Sequence, residues 1–526
     1  MNHLPILPIV LPLLAGALLL LIERAGLTAQ RALAAVAMLL QLGVAWLLLQ
    51  SASTGEVSVY LLGDWPAQIG ISLALDRLSA LMVATTTVLG SAALLYASSG
   101  WDSRALHFHA LFQFQLAGLN GAFLTADLFN LFVFFEVLLI ASYGLLLSGG
   151  RGPRIRVGFQ YVVFNVTAST LFLVALGLFY GLLGVLNMHE MGEAIGRAPV
   201  ENRGLILAAG GILLVVFGAK AALLPMYLWL PQTYARSPAP VAALFAIMTK
   251  LGIYAILRVY TLLFGENAGP LAGWASDWLL PAGAIALVLA SLGALAASSL
   301  RGLAAYLVVV SAATLFIVLG LDASASTGPG LYYLVHSTFG AAALFLLADL
   351  IRRRRGSAGD SLKALMPVPH RGLFGALYLL IAVSLVGLPP LSGFVGKFTL
   401  LASMENAQAA WLWPLILICS LLCLIAMARA GSQLFWKSGG VRDDENSDAD
   451  ADASALHPAR VELIAVGALV ALGIGMSLFA NPLLRYSRET AQQVHSTQDY
   501  RRAVEAASPR LRSATPLAPA AGEAPR

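Results

Sequence analysis

Charged residues and cysteines are both scarce in this sequence, and their scarcity excludes whole classes of protein. Of 526 residues only 11% are Asp, Glu, Lys or Arg, whereas 59% are hydrophobic. With a mean hydropathy of +0.81, this composition lies outside the range of a soluble globular domain. It is typical of a polytopic protein embedded in a lipid bilayer.

The two cysteines, Cys419 and Cys423, lie on one apolar segment. Small buried hydrophobes fit this setting, and two thiols predict neither a disulfide framework nor a metal site. The sequence contains no NAD, flavin or iron–sulfur motif, so no cofactor is predicted. The net charge of +5 comes from loops, and it bears on membrane topology and not on nucleic-acid binding.

Apolar segments of membrane-spanning length recur along the whole chain. They predict an all-α polytopic membrane protein of about fourteen transmembrane helices, with a retained first helix in place of a signal peptide. The predicted spans are 4–22, 31–50, 75–97, 107–126, 128–148, 157–185, 204–231, 239–264, 274–297, 302–320, 329–351, 373–404, 411–436 and 459–480. Between the second and third spans, residues 57–73 alternate apolar and polar side chains, which predicts a short hairpin on the membrane surface.

A break in two of the helices suggests an internal repeat. Lys220 lies just before Pro225, and Lys397 follows Pro389 and Pro390 in VGLPPLSGFVGKFTLL. Five helices form each proposed unit, and because five is odd the second unit is inverted relative to the first. The predicted organisation is 1–106 for three N-terminal helices with the hairpin, 107–264 and 265–436 for the repeats, 437–458 for an acidic loop, 459–480 for the last helix and 481–526 for a disordered tail.

Basic residues collect in alternate loops, most densely in the run Arg352–Arg355, while the opposite loops carry mainly acids such as Glu190, Glu266 and Asp322. The positive-inside rule therefore predicts that both termini lie outside the cytoplasm.

Five ionisable residues lie near the centres of predicted spans, where a charged side chain costs about 2.5 to 3.5 kcal/mol and normally faces the bundle interior or water. They are Glu136, Lys220, Lys250, His336 and Lys397. Pro225 and Pro231 follow Lys220 and remove backbone hydrogen bonds beside it. A buried charge beside a broken helix is how ion-translocating proteins build a site at the membrane midplane.

Each of these residues also has an ordinary structural explanation. A lysine can snorkel to the interface, but Lys220 and Lys250 lie too far from the ends of their runs for a side chain about 6 Å long. The double proline leaves the depth of Lys397 open. Glu136 is either half of a structural ion pair or a modulator of a lysine, and His336 either relays protons or bonds a helix carbonyl.

Other polar residues lie closer to span ends. Snorkelling or pairing at helix ends explains Arg258, Arg429, Asp349 and Asp277, and His107 with His109 suggests an aqueous entrance.

Electrostatics supplies a mechanism for the central residues. Burial disfavours a charged lysine and a nearby carboxylate favours it. Two positive charges roughly 8 Å apart repel by about 2 kcal/mol at an effective dielectric constant of about 20, which is enough to pass a proton on. The row Lys220, Lys250, His336 and Lys397 therefore predicts a lateral proton relay, with Glu136 controlling it.

The segments around these residues resemble the antiporter-like membrane subunits shared by respiratory complex I and the Mrp cation/proton antiporters. The likeness runs from Leu75 to Ala480 and rests on FFEVLLIASYGLL, GAKAALLPMYLWLPQTYARSPAPVAALFAIMTKLGIYAILRVY and GLPPLSGFVGKFTLL. The D-type branch of the Mrp antiporters, called PhaD in the Pha systems, is most similar. The resemblance implies fourteen helices, inverted five-helix repeats and proton transfer through Glu136, Lys220, Lys250, His336 and Lys397. It also implies a bacterial-type inner membrane as the location.

One segment departs from the family pattern. Where the family often has an acid and a histidine, this chain has Gln232 and Arg236 in WLPQTYARSP. The departure argues against proton entry through that loop, whereas the membrane lysines of the family pattern are all present.

The favoured hypothesis is a proton-translocating subunit of a multisubunit Na⁺/H⁺ or K⁺/H⁺ antiporter, a secondary transporter and not an enzyme. Its expected partners are other membrane subunits, protons, Na⁺ or K⁺ and the lipid bilayer, with no nucleic acid. The alternative is a proton-pumping membrane subunit of an NADH:quinone oxidoreductase or a membrane-bound hydrogenase, in which redox chemistry belongs to partner subunits. A structural anchor is disfavoured by the central charges.

Overall fold

The computed structural model describes residues 3–67, 70–150, 152–363, 366–437 and 460–507. Within these ranges the chain is an all-α bundle, as predicted. Twelve of the described helices are long and apolar enough to cross a membrane. The two remaining predicted spans are shorter elements, namely a 17-residue helix after the third span and a helix split in two.

The helices are α1 (Leu7–Leu21), α2 (Leu27–Ser53), α3 (Arg77–Ala97), α4 (Phe108–Leu124), α5 (Leu128–Leu147), α6 (Pro153–Leu183), α7 (Met188–Gly196), α8 (Val200–Lys220), α9 (Trp229–Arg236), α10 (Ala239–Leu263), α11 (Ser276–Ala296), α12 (Leu300–Leu321), α13 (Ser324–Arg354), α14 (Arg371–Val386), α15 (Ser392–Ala402), α16 (Asn406–Gly431), α17 (Arg460–Leu478), α18 (Ala480–His495) and α19 (Thr497–Ala507). Short 3₁₀ turns connect several of them.

The structure contains the predicted hairpin. Strands β1 (Ser58–Leu61) and β2 (Ser72–Leu75) pair antiparallel, with Ser58 opposite Leu75. Asp76 follows β2 and starts α3 through a capping box, in which its carboxylate accepts from the Ser79 backbone and the Ser79 hydroxyl accepts from the Asp76 backbone. The cap satisfies two backbone donors that a helix start would otherwise leave bare.

Two segments of the bundle repeat the same order of elements. Three helices, a helix broken near its middle and one further helix occur in the series α4, α5, α6, α8 with α9, and α10. The series α11, α12, α13, α14 with α15, and α16 has the same order. The breaks fall where the prolines predict them, after Lys220 and after Val386.

The centre of the bundle is formed by α10, α12 and α13. In their most apolar stretches 100%, 89% and 83% of the residues are buried, against 33% for α2. Helices at the periphery instead expose large apolar side chains such as Leu21, Leu39 and Trp46. Exposed apolar belts face lipid or partner helices, because an apolar exterior needs an apolar solvent. Polar side chains on the three central helices must therefore find partners within the protein.

The prediction of a disordered tail from residue 481 is wrong for residues 481–507, which form α18 and α19. Both helices are amphipathic and bury one face, including Leu484, Val494 and Tyr500. Their charged faces, which made the segment look unstructured, form ion pairs with other helices. Arg77 bonds Glu489 at 2.6 Å, and Arg501 bonds Glu193 at 2.9 Å.

Residues 508–526, and the predicted acidic loop apart from Lys437, lie outside the described residues.

The contact between α4 and α5, which positions the chain around Glu136, depends on a glycine. A Cβ on Gly118 would lie 2.7 Å from the backbone nitrogen of Leu138. Since a backbone atom cannot rotate away, we expect Gly118→Ala to destabilise the protein by about 1–3 kcal/mol. Thermal denaturation of the purified protein measures this. Gly177→Ala is the control, because no atom lies within 4 Å of a Cβ there, and equal melting temperatures for the two variants would contradict the packing argument.

Candidate functional site

Lys220 is the last residue of α8 and lies at the break in that helix. Its side chain is buried, and its Nζ donates to Asn165 Oδ1 at 3.5 Å and to Ser169 Oγ at 3.4 Å, both on α6. Nζ also lies 5.5 Å from the centre of the Phe135 ring. These contacts are long, so the ammonium is held loosely. A positive charge is nevertheless favourable here, because the carbonyl end of a helix carries partial negative charge.

The break after Lys220 leaves backbone carbonyls that other groups satisfy. The Leu223 backbone nitrogen donates to the Gly218 carbonyl at 2.7 Å, and the indole nitrogen of Trp229 donates to the Ala219 carbonyl at 3.1 Å. A broken helix at membrane depth requires such replacement partners. The carbonyls of Gly218 and Ala219, near the end of α8, are therefore satisfied inside the protein.

Glu136, on α5, lies close enough to Lys220 for a direct electrostatic interaction. The two groups do not form an ion pair within 4.0 Å. Glu136 Oε1 is buried and accepts no hydrogen bond from the described residues. The carboxylate thus influences Lys220 across a gap, which differs from a closed structural salt bridge.

Lys250 lies in the middle of α10 and is fully buried. Its Nζ donates a short hydrogen bond to Ser311 Oγ on α12, and the Ser311 hydroxyl donates to the Val308 carbonyl at 2.7 Å. The serine acts as the acceptor that a buried ammonium needs. Lys250 and Ser311 therefore join the two most buried helices of the bundle.

His336, on α13, is 2% exposed and shares a 2.8 Å hydrogen bond between its Nδ1 and the Ser392 hydroxyl at the start of α15. Its Nε2 bonds to none of the described residues. A cavity of about 20 Å³, lined by His336, Ser384 and Gly473 among others, lies beside the ring. That volume is large enough for one water molecule.

Lys397, on α15, reaches back across the second break. Its Nζ donates to the Val386 carbonyl at the end of α14 at 2.7 Å and to Ser420 Oγ on α16 at 2.9 Å. Gly387 turns the chain with φ +86°, and a Cβ there would lie 2.8 Å from Lys397 Cδ. Only glycine both adopts this conformation readily and leaves room for the lysine stem.

The structure brings the five predicted residues into two groups. His336 lies in direct electrostatic range of both Lys250 and Lys397, and Glu136 lies in range of Lys220. No hydrogen bond between described residues joins the Lys220 group to the Lys250 group. The two are nevertheless packed together, because a Cβ on Gly252 would lie 2.7 Å from the Ala221 backbone nitrogen.

Sequence reasoning missed the neutral partners of the charged groups. They are Asn165 and Ser169 for Lys220, Ser311 for Lys250, Ser392 for His336 and Ser420 for Lys397. The available signal was an amide or hydroxyl inside an otherwise apolar span. Serine is common in such helices for other reasons, so the signal becomes specific only when the helices are placed side by side.

Three of the four residues predicted to be structural have partners that fit this role. Arg258 is buried and bonds the Asp76 carboxylate at 2.6 Å, at the start of α3. Asp349 pairs with Arg352 and Arg353 within its own helix, and Arg429 donates to the Ala297 carbonyl at 3.0 Å.

The two histidines before α4 differ. His109 is buried and bonds Asp102 at 3.0 Å, whereas His107 is partly exposed beside Glu23. Burial opposes ionisation of Asp102, but hydrogen bonds from Arg31 and His109 lower its pKa to about 2. The burial of His109 and its hydrogen bond to Asp102 argue against an aqueous entrance at His109. Gln232 and Arg236, where the chain departs from the family pattern, are exposed on α9.

Residues 125–423 match the family described as "NADH:quinone oxidoreductase/Mrp antiporter, TM". The fold agrees with a chain in the "Structure of Mrp complex from Dietzia sp. DQ12-45-1b", with a TM-score of 0.84, 26% identity and coverage of 96% of this chain and 100% of that one. The chain therefore belongs to the family of membrane subunits shared by NADH:quinone oxidoreductases and Mrp antiporters.

Within that family the chain groups with the D-type subunits of antiporters. It is 38% identical to the D-type subunit of a probable K⁺/H⁺ antiporter of Rhizobium meliloti (strain 1021), over 94% of this chain and 96% of the relative. It is 35% identical to the D-type subunit of a Na⁺/H⁺ antiporter of Bacillus subtilis (strain 168), over 88% of this chain and 93% of the relative. A chain of "Respiratory complex I from Thermus thermophilus with bound NADH" also matches, with a TM-score of 0.71, 25% identity and coverage of 93% and 99%.

The position of His336 depends on Gly393. A Cβ at Gly393 would collide with the Ser384 carbonyl oxygen and lie 2.9 Å from His336 Nε2. We expect Gly393→Ala to displace the imidazole and to lower transport by about tenfold, because misplacement of about 1 Å is costly for proton transfer. Ion transport by the reconstituted complex measures this. Gly475→Ala, where a Cβ meets nothing within 4 Å, is the control, and an unchanged rate in Gly393→Ala would contradict the assignment.

Proposed function

We propose that this chain is the proton-translocating subunit of a multisubunit antiporter that exchanges Na⁺ or K⁺ for H⁺. The observation that carries the proposal is the buried series of ionisable groups, with Glu136 in electrostatic range of Lys220 and His336 in range of both Lys250 and Lys397. Burial of such groups in apolar helices is expensive, and it normally marks an ion or proton pathway. The relatives named above include a K⁺/H⁺ and a Na⁺/H⁺ antiporter subunit, so the proposal covers both cations.

Proton transfer along the series follows from repulsion between like charges. When Lys250 carries a proton, its charge opposes a second positive charge on His336, and a protonated Lys397 has the same effect. Two positive charges roughly 8 Å apart repel by about 2 kcal/mol at an effective dielectric constant of about 20, which gives the order of magnitude of such a repulsion. Loss of a proton at one position therefore favours gain at the next.

Glu136 sets the charge balance at the other end of the series. Glu136 lies in electrostatic range of Lys220, and Lys220 is held by neutral side chains at 3.4 Å or more. A lysine held this loosely can change its protonation state without losing a tight ion pair. Transfer between Lys220 and Lys250 requires a mobile carrier such as water, since no hydrogen bond of the described structure joins them.

The positions of the chain ends and of the basic run Arg352–Arg355 support a multi-pass location in a bacterial-type inner membrane, with both termini outside the cytoplasm. His3 bonds Tyr60 of the hairpin at 3.0 Å, and Arg77, just after the hairpin, bonds Glu489 of α18. The two ends of the described chain thus lie at one end of the bundle. The basic run Arg352–Arg355 ends α13 at the opposite end, where the positive-inside rule places the cytoplasm.

The alternative function is a proton-pumping membrane subunit of a redox complex. It is favoured by the likeness to the respiratory complex I chain at a TM-score of 0.71. In that case the redox chemistry would belong to partner subunits, and this chain would still use the same buried groups. Other membrane subunits are partners in either reading.

We expect Lys220→Ala and Glu136→Ala to lower cation-coupled proton movement by about tenfold or more while the complex still assembles, because each removes one member of the buried pair. Lys397→Ala should behave likewise. Everted vesicles with an acid interior, a pH-sensitive dye and added Na⁺ or K⁺ provide the measurement. Arg429→Ala is the control and should have a much smaller effect, since Arg429 only bonds the Ala297 carbonyl.

The same assay separates the two functions. Collapse of the gradient by one cation identifies an antiporter and its cation. A gradient that neither cation alters, but that NADH oxidation builds through Lys220, identifies the redox complex. Wild-type activity of Lys220→Ala and Glu136→Ala at wild-type abundance would refute the relay.

A further inference from the structure

A cavity of about 330 Å³ opens at the end of the bundle opposite Arg352–Arg355. It lies between the C-terminal ends of α10 and α12, the loop that precedes α11, the start of α13 and the end of α18. Its polar lining consists of Glu266, Asp322, His495, Thr261, Ser276 and Thr327. We call this cavity the vestibule.

The vestibule contains groups suited to proton exchange. Burial raises the pKa of the Asp322 carboxyl above its usual value. Burial lowers the pKa of the His495 imidazole, and the negative charges of Asp322 and Glu266 oppose that change. His495 Nε2 also shares a 3.0 Å hydrogen bond with the Thr327 hydroxyl. An acid and a base therefore face one cavity.

A second, much smaller cavity continues from the vestibule toward the membrane interior. Its volume is about 10 Å³, and Leu257, Leu319 and Thr327 line both cavities. The rest of its lining comes from α3, α10, α12 and α13 and is almost entirely apolar. The size corresponds to a single water position. We call this cavity the passage.

The passage points to the Lys250–Ser311 pair. On α10, Leu257 and Tyr254 line the passage, and Lys250 follows on the same face, since residues separated by three, four or seven positions share one face of a helix. On α12 the corresponding series is Leu319, Leu315 and Ser311. Seven residues span about 10 Å along a helix, so the vestibule floor lies about 10 Å from Lys250 along the axis.

We propose that the vestibule and the passage form a proton port that connects Lys250 to the face of the bundle opposite Arg352–Arg355. This inference rests on the proposed function, because it assigns an outlet to the same buried series. In the outward direction the Lys250 ammonium gives its proton to water in the passage, and the proton is taken up by His495 or by Asp322. The neutral Lys250 amine then receives its next proton from the series. Uptake is the reverse.

The passage suits a proton better than an alkali cation. A dehydrated Na⁺ or K⁺ needs several oxygen ligands, and the side chains of the lining offer two hydroxyls, those of Thr327 and Tyr254. The Tyr254 hydroxyl is already engaged with the Phe123 carbonyl. A narrow apolar segment conducts protons when a water molecule enters, and it interrupts conduction when the segment is dry. Leu257 and Leu319 would therefore act as the barrier that prevents a continuous leak.

The first test fills the junction of the two cavities. In the complete complex reconstituted into proteoliposomes, Leu319→Trp should lower cation–proton exchange by about tenfold, because the larger ring blocks the passage. Leu321→Trp is the matched control, since Leu321 is 8% exposed against 9% for Leu319 and lines neither cavity. Exchange at the wild-type rate in assembled Leu319→Trp would overturn the port.

A second test does not require a large side chain to be accommodated. In a Cys419→Ala/Cys423→Ala background, Leu319→Cys is treated with a membrane-impermeant, positively charged thiol reagent added to one face at a time. We expect modification only from the vestibule face, followed by an about tenfold loss of exchange, with no loss in treated Leu321→Cys. Failure to react, reaction from the other face only, or reaction without loss would each overturn the port. A wild-type complex that exchanges no cation for protons would instead contradict the proposed function.

Discussion

An ammonium group at the carbonyl end of a broken helix is the interaction on which the rest of the membrane interior depends. A break in a helix exposes carbonyls that lipid cannot satisfy, and a lysine in apolar surroundings needs acceptors. Each defect supplies what the other lacks. Lys397 bonds the Val386 carbonyl directly, and Lys220 ends the helix whose carbonyls face the break. At the first break the Lys220 ammonium donates instead to Asn165 and Ser169. The carbonyls exposed there are bonded by the Leu223 backbone nitrogen and the Trp229 indole nitrogen.

The central helices determine which residues can act together. Since α10, α12 and α13 are buried on nearly every side, Lys250 and His336 meet only protein groups. Ser311 and Ser392 hold them by short neutral bonds, without a carboxylate that would fix their charge. A neutral acceptor tolerates both protonation states, whereas a tight ion pair favours one. Arg258 differs, because it forms an ion pair with Asp76 at 2.6 Å that fixes its charge in a structural role. Lys250 and His336 have no such carboxylate partner among the described residues.

Much of the fold was accessible from the sequence because lipid imposes a simple rule on apolar length. Fourteen spans, two breaks and a hairpin were predicted from apolar runs, prolines and alternation. The structure has both breaks, the hairpin and, among the described residues, twelve helices of spanning length. The central charges are conspicuous for the same reason, since Glu136 and Lys250 each lie in a largely apolar run. Their assignment as a relay remains a prediction.

What the sequence could not provide depends on contacts between distant segments. Ser311, Ser392 and Ser420 are ordinary residues until another helix brings a charge to them. The helices at 480–507 were mistaken for a tail because their charges find partners more than 300 residues away, as with Arg501 and Glu193. The gap between Glu136 and Lys220 was also not predictable, because a pairing preference does not fix a distance.

The bond from Lys397 to the Val386 carbonyl spans the break between α14 and α15, and this gives proton transfer a mechanical side. Charge-assisted hydrogen bonds are about twice as strong as neutral ones. When Lys397 gives up its proton, its hydrogen bond to the Val386 carbonyl weakens, and when Lys397 regains a proton the bond strengthens. The protonation state of Lys397 is then coupled to the geometry of the break. A proton that reaches Lys397 changes both the local electrostatic potential and the strength of the link between α14 and α15.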